Sequence, residues 1–147
     1  MKRCVHLSLA LSFTVWLIML APKPRVYGQA GSTSSISISG KIGGASGNHP
    51  VYVALWDASG FLTKPAQQIR IEAHSTTRFQ FHVPAGAWAI SAYEDDNENG
   101  KLDMGMFGPK EPSGFWRAFH GWHKPRFAEV SSQVSGDVAN ADIELRK

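Results

Sequence analysis

The sequence predicts an all-β protein, a single β-sandwich of about seven strands with one long loop, preceded by a signal peptide. Three observations lead to this prediction. After residue 35, short runs rich in β-branched and aromatic residues alternate with turns of Gly, Pro, Asn and Asp. Residues 95–125 interrupt these runs with few strand signals and many aromatic side chains. Residues 1–30 have the composition of a secretory leader.

The strand prediction rests on residue type and on alternation, and no window of helical period competes strongly. In the run 77–83, Phe79, Phe81 and Val83 fall on one side and polar residues on the other, which is typical of a half-buried strand. A small barrel is the alternative to a sandwich. The seven runs are 36–42, 51–57, 69–73, 77–83, 88–94, 126–134 and 141–146. The predicted core includes Val53, Leu55, Phe79, Phe81, Val83 and Ile90.

The N-terminus has the three parts of a signal peptide. Lys2 and Arg3 form a positive start, residues 7–21 form an apolar run, and Gly28 and Ala30 suit an A-x-A-like cleavage site. An uncleaved membrane anchor is the alternative. The apolar run is shorter than the roughly 20 residues that a spanning helix needs, so we expect no stable membrane span after cleavage.

Cleavage after Ala30 would leave one domain. We predict a signal peptide at 1–30 and a β-sandwich domain at 31–147, located in the periplasm or outside the cell. N-terminal sequencing of the exported protein is expected to start near Gly31. A membrane-bound product with an intact Met1 would contradict this prediction.

The predicted mature domain has a different charge and cysteine content from the whole chain. The chain has 15 basic and 12 acidic residues, and four of the basic but none of the acidic residues lie in 1–30. Residues 31–147 therefore carry 11 basic and 12 acidic residues, a net charge of −1, which gives no argument for nucleic acid or anionic lipid as a partner. The single cysteine, Cys4, lies in the leader, so the domain has no disulfide and depends on its core.

An acidic segment directly after the run 88–94 is the most informative motif. Oxygen-bearing side chains recur at Asp95, Asn97 and Asn99, Gly100 follows at the sixth position, and Asp103 is at the ninth. Ca²⁺ takes six to eight oxygens, and this spacing wraps alternate side chains around one point. The candidate metal ligands are the side chains of Asp95, Asn97, Asn99, Asp103 and Glu111 and the backbone carbonyl of Lys101.

The match to a calcium loop is partial. An EF-hand has a bidentate Glu at the twelfth position, where this chain has Met106, and the segment before the loop is predicted to be a strand. A solvated acidic turn that binds no metal is the alternative, because Asp, Asn and Gly are also the residues that turns prefer.

Other chemistry has weaker support. His120 and His123 could share a metal, but a third ligand is not evident. Serine nucleophiles lack a Gly-x-Ser-x-Gly context, and we predict no catalytic residues. Trp116 and Trp122 either pin the long loop to the sandwich or form a platform for a sugar or a peptide.

Residues 81–117 contain a succession of short motifs: a Pro-x-Gly turn, a Trp-containing strand, the Asp-x-Asn-x-Asn-Gly-Lys-Leu-Asp segment, Phe-Gly, Pro-x-Glu and Gly-Phe. This succession resembles the bacterial domain of unknown function 2141 family, and the resemblance extends to 51–62 and 125–137. Glu94 stands where that family commonly has His, so no role for the His is carried over. The matching positions are Pro84, Gly86, Trp88, Asp95, Asn97, Asn99, Gly100, Lys101, Leu102, Asp103, Phe107, Gly108, Glu111, Gly114 and Phe115.

The resemblance implies export and an immunoglobulin-like or transthyretin-like sandwich, and it implies no established activity. With the residue analysis, it predicts a non-enzymatic module at the cell envelope that is stabilised by calcium and binds a protein or a glycan. A purely structural domain with no bound metal is one alternative, and an enzyme that acts on cell-surface glycan through the acidic segment is the other.

Overall fold

Alternation of apolar and polar side chains buries one face of each long strand, and the resulting fold is all-β, as the sequence predicts. The computed structural model describes residues 35–147. The predicted signal peptide and its cleavage site lie outside these residues. The elements are β1 (Ile36–Gly43), β2 (Val51–Trp56), β3 (Gln67–Ile71), β4 (Arg78–Val83), β5 (Gly86–Glu94), β6 (Met104–Gly105), β7 (Gly108–Pro109), β8 (Ser113–Phe115), α1 (Phe127–Val130), β9 (Ser131–Val134) and β10 (Ile143–Glu144).

Two main sheets enclose the core. One sheet has the order β3-β2-β5-β8, and β9 pairs with the first part of β5 while β8 pairs with its last part. The other sheet has the order β10-β1-β4, in which β1 and β4 are antiparallel and β1 and β10 are parallel. The strands β6 and β7 form a separate hairpin. This arrangement is sandwich-like, as predicted.

Contacts at both sides join the two main sheets. On one side, Ser113 of β8 and Arg146 exchange backbone hydrogen bonds of 3.0 and 3.1 Å, which ties the C-terminal segment to the larger sheet. On the other side, Gln67 Nε2 of β3 donates to the His82 carbonyl of β4 at 2.9 Å. The first link lies beside the end of β5, where the acidic segment begins, because Ser113 pairs with Tyr93.

The core lies between the inward faces of these sheets. Phe79, Phe81 and Val83 of β4 are buried and the residues between them are exposed, as the alternation predicts. The predicted core is confirmed, because Val53, Leu55, Phe79, Phe81, Val83 and Ile90 are each at most 5% exposed.

Two of the predicted strand runs are partly wrong. The run 126–134 begins with the single helical turn α1, because Glu129 accepts hydrogen bonds from the Arg126 backbone at 2.8 Å and from its guanidinium at 2.9 Å. Strand β9 follows only from Ser131. The run 141–146 contains only the two-residue strand β10.

The long segment 95–125 is more ordered than its lack of strand signals suggests. It contains β6, β7 and β8, and β8 joins the larger main sheet. Strands of two or three residues are too short to show alternation, so the sequence gives no periodic signal for them. Within residues 35–147, no helix is long and apolar enough to cross a membrane.

Candidate functional site

Three buried carboxylates surround the point where β5 ends. Glu94 and Asp95 are fully buried and Glu111 is 3% exposed. The Asp95 backbone N–H donates to the Pro50 carbonyl at 2.9 Å, which fixes the start of the acidic loop, defined here as residues 95–103, beside β2. Buried carboxylates are costly unless they accept hydrogen bonds, so the partners of each define the site.

Asp95 organises the first half of the acidic loop. Its Oδ1 accepts from the Asn99 backbone N–H at 3.1 Å and its Oδ2 accepts from the Gly100 N–H at 2.7 Å. The chain turns back on this carboxylate through left-handed conformations at Glu98, with φ of 58°, and at Gly100, with φ of 76°. Glycine adopts such a conformation at little cost, which explains its place at the sixth position.

Asp103 faces the two asparagine side chains. Asn97 Nδ2 donates to Asp103 Oδ2 at 2.7 Å, and Asn99 Nδ2 lies 3.3 Å from both Asp103 oxygens. Asn97 Oδ1 accepts from the Asn99 N–H at 3.2 Å, and Asn99 Oδ1 accepts from the Lys101 N–H at 2.8 Å. Each amide therefore closes a local turn and also reaches across the loop.

Glu111 hydrogen-bonds to both ends of the acidic loop. Its Oε1 accepts from the Asp96 N–H at 3.1 Å and its Oε2 accepts from the Asp103 N–H at 3.0 Å. The Asp103 carbonyl accepts from the Lys110 N–H at 2.8 Å at the base of the β6–β7 hairpin. One side chain, eight positions beyond Asp103, therefore holds both ends of the loop.

The structure brings all six predicted site residues into one hydrogen-bonded network. Lys101 contributes through its backbone N–H, and its side chain is exposed. Asn97 and Asn99 now direct amide nitrogens at Asp103, so a bound cation would require these amides to turn and present their oxygens instead. Among residues 35–147, no group of three or more His, Cys, Asp or Glu side chains has an arrangement that could hold a metal ion.

Glu94 is a residue of this region to which the sequence analysis assigns no role. It points inward at the end of β5, where its carboxylate accepts from the Ser46 N–H at 2.8 Å, the Ser46 hydroxyl at 2.6 Å and the Gly47 N–H at 3.1 Å. The signal was available, because position 94 continues the inward series of Ile90 and Ala92. The carboxylate holds the β1–β2 connection against the sheet.

A stacked pair of tyrosine rings lies beside Gly100 of the acidic loop. Tyr52 and Tyr93, opposite each other on β2 and β5, stack with ring centroids 5.2 Å apart, and a Cβ placed on Gly100 would lie 3.7 Å from the Tyr52 hydroxyl. Burial is the main cause that raises the pKa of Tyr93, and the negative charge of Asp95 adds to it. The raised pKa of Tyr93 therefore reflects an apolar setting close to concentrated negative charge.

The two tryptophans of segment 95–125 have different surroundings. Trp116 is partly buried against the core, whereas Trp122 is fully exposed. His123 contacts the Phe119 ring edge and lies 3.7 Å from Glu129. Trp116 therefore anchors the segment, and Trp122 is available at the surface.

An open groove of about 540 Å³ lies elsewhere, on β1 and β4. No residue of the acidic loop lines it. Asp142, one of its lining residues, accepts a hydrogen bond from the Lys41 backbone at 2.8 Å. The acidic loop and this groove are thus separate features.

Comparison with protein families gives a match over most of the described chain. A family described as an uncharacterized protein conserved in bacteria, DUF2141, matches residues 42–142. The chain belongs to this family. The match confirms the resemblance seen in the sequence and covers the acidic loop, Glu111, the whole of the larger main sheet and strand β4 of the other sheet. No curated protein and no solved structure matches the chain.

Proposed function

We propose that this member of the DUF2141 family is an exported, non-enzymatic module at the cell envelope, whose acidic loop binds one calcium ion and whose surface binds a protein or a glycan. The convergence of Asp95, Asn97, Asn99 and Asp103 in one turn carries the calcium part of the proposal. The exposed indole of Trp122 supports the binding part, because aromatic side chains at a surface stack well on sugars and on protein groups.

Electrostatics favours a cation in the acidic loop. Asp95, Asp103 and Glu111 are linked through the backbone of one short loop, and like charges at close range raise the free energy of the compact state. The Asp103 carboxylate is held by neutral amides, which hydrogen-bond to its charge without cancelling it. Calcium would cancel part of this charge, and a 180° turn of each amide would supply two more oxygen ligands.

Calcium affinity is expected to be weak. Both oxygens of Asp95 and both oxygens of Glu111 accept backbone hydrogen bonds, so neither carboxylate offers the two free oxygens of the bidentate ligand that strengthens an EF-hand. An extracellular site of this kind has a dissociation constant on the order of 10⁻⁴–10⁻³ M. At about 1 mM calcium, the ion would stabilise the fold by only about 0.4–1.4 kcal/mol. The sandwich therefore folds without metal, and calcium orders the loop.

The test of this proposal is Asp103→Ala, studied by calorimetric calcium titration and by limited proteolysis. Asp103 contacts the loop amides without anchoring the buried backbone as Asp95 does, so the variant is expected to fold. For the natural chain, we expect a weak binding isotherm and faster cleavage within 95–125 after EDTA treatment. Asp103→Ala is expected to show no calcium-binding isotherm. The protease is expected to cleave this variant equally fast with and without calcium.

Asp57→Ala is the matched control. Asp57 also accepts hydrogen bonds in a loop, from the Ser59 hydroxyl at 2.7 Å and the Gly60 N–H at 2.7 Å, but it lies outside the acidic loop. This variant should keep the calcium isotherm of the natural chain. Equal protection of the natural loop with and without calcium would reject the proposal in favour of a hydrogen-bonded turn in a purely structural domain.

A further inference from the structure

The segment between β8 and α1 presents one tryptophan to solvent, and we call residues 117–126 the tryptophan loop. Trp122 is fully exposed, whereas Trp116, directly before the loop, packs partly buried against the core. Phe119, the other large apolar side chain of the loop, is also partly buried. The loop therefore offers a single indole to solvent.

Ring contacts beside Trp122 fix the shape of the loop. The rings of Phe119 and His123 meet edge to face, with centroids 5.3 Å apart. A Cβ placed on Gly121 would overlap the Phe119 ring and lie 3.2 Å from His123 Nε2, so a larger residue would displace the ring. Because these contacts already order the loop, a ligand of Trp122 needs to immobilise little additional chain.

The charged side chains of the tryptophan loop are all basic. Residues 112–136 contain three basic residues, Arg117, Lys124 and Arg126, and one acidic residue, Glu129. Arg126 pairs with Glu129 at 2.9 Å, whereas Arg117 and Lys124 form no ion pair with any group of residues 35–147. Both of these unpaired side chains are exposed. The loop therefore combines an exposed indole with two cations that are free to meet an anion.

The elements that pack beside the tryptophan loop do not reverse this sign. Strand β9, whose Ser131 carbonyl accepts from Arg117 at 3.3 Å, has no charged residue. Loop 57–66, which meets α1 through the Phe61 and Phe127 rings, has one Asp and one Lys.

The acidic loop lies at the other end of β5. Ser131 pairs with Ala89, five positions before Glu94, the residue after which the acidic loop begins. Five residues of strand span roughly 17 Å, which is longer than the Debye length of about 8 Å at physiological salt. The net charge of −1 for residues 31–147 therefore combines a basic region and an acidic region at different places on the larger sheet.

We propose that the tryptophan loop binds a glycan that carries anionic groups. The Trp122 indole stacks on a sugar ring, and Arg117 and Lys124 pair with carboxylate, phosphate or sulfate groups of the polymer. One indole buries at most about 250 Å², far below the roughly 800 Å² per partner of a stable protein interface, whereas a repeating polymer offers many rings and charges to one loop. This inference rests on the proposed function, because it names the chemical class of the glycan.

Affinity electrophoresis of the exported protein in EDTA tests this inference without calcium. The gels contain dextran, dextran sulfate or polygalacturonate, and the first two differ only in the charge on the same backbone. We expect both anionic polymers to retard the protein, less so as salt is added, and dextran to retard it little. Trp122→Ser is expected to raise the apparent dissociation constant for dextran sulfate about tenfold, and Lys124→Gln should raise it several-fold.

Two variants in the β6–β7 hairpin are matched controls. Phe107→Ser removes an aromatic side chain that is 96% exposed, and Lys110→Gln removes an exposed lysine. Both should be retarded as the natural chain is. Equal affinities of Trp122→Ser and Phe107→Ser for dextran sulfate would overturn the inference, because the exposed indole would then contribute nothing specific.

The remaining outcomes separate this inference from the proposed function. Equal retardation by dextran and dextran sulfate would overturn the anionic class and leave glycan binding in place. If no polymer retards the protein, the inference is wrong, a protein is left as the partner, and the calcium titration decides the metal site separately. Co-sedimentation with phosphatidylglycerol vesicles that Trp122→Ser abolishes, without retardation by any polymer, would instead assign the loop to a bilayer.

Discussion

Replacing Phe81 by alanine is expected to lower the free energy of unfolding by about 3–5 kcal/mol. The Phe81 ring is 1% exposed, and its strand β4 places it opposite Ile38, which is fully buried. Its centroid lies 5.7 Å from that of Phe79. Removal of the ring leaves a cavity that two β-sheets joined at both sides cannot easily close. Urea denaturation followed by circular dichroism measures the loss.

His82→Ala is the control for Phe81→Ala, because His82 is the next residue on β4 and its side chain is exposed. Its backbone carbonyl, which Gln67 contacts, is unchanged by the substitution. We expect a change within about 0.5 kcal/mol for His82→Ala. A cost below about 1 kcal/mol for Phe81→Ala would mean that the ring is not in the core.

Glu94→Ala is the second substitution with a large expected effect, a loss of about 3 kcal/mol. The carboxylate is fully buried and accepts three hydrogen bonds from Ser46 and Gly47. Alanine would leave two backbone N–H groups and a hydroxyl without their acceptor, and water would have to enter to reach them. The melting temperature should fall by about 10 °C.

An exposed-carboxylate control and a double-mutant cycle test whether the loss comes from the buried hydrogen bonds of Glu94. Glu72→Ala removes an exposed carboxylate that pairs with Arg70 at the surface, and it should cost less than about 1 kcal/mol. In a double-mutant cycle, Ser46→Ala combined with Glu94→Ala should cost less than the sum of the single changes, because they share a bond. Strict additivity would show that the Ser46–Glu94 bond contributes little.

Much of the fold follows from period-two alternation. The runs that became β1, β2, β4 and β5 were predicted within a few residues, because each is long enough to show which side faces the core. The same rule failed for β8, which has three residues, and for α1, where a side-chain contact between Glu129 and Arg126 overrides the strand pattern. Short elements depend on contacts that a local pattern cannot display.

The members of the acidic loop were also predictable, but their roles were not. Spacing predicted that the side chains of Asp95, Asn97, Asn99 and Asp103 meet, and in the structure the two asparagines direct their amide nitrogens at Asp103. The contacts of each side chain depend on the fold. Asp95 is buried and accepts hydrogen bonds from backbone N–H groups, whereas Asp103 accepts them from the exposed side-chain amides of Asn97 and Asn99. Sequence spacing fixes which side chains can meet, while burial and register decide what each one contacts.

By itself, the sequence determined the all-β class, the predicted core and the family, because alternation, turn residues and motif order are local properties of the chain. Only the tertiary structure decided that Glu94 holds the β1–β2 connection, that Glu111 closes the acidic loop, and that Met106 and Phe107 stand in solvent. Each of these depends on what distant segments place beside a residue. Two carboxylates that look alike in a sequence can therefore differ fully in burial and in partners.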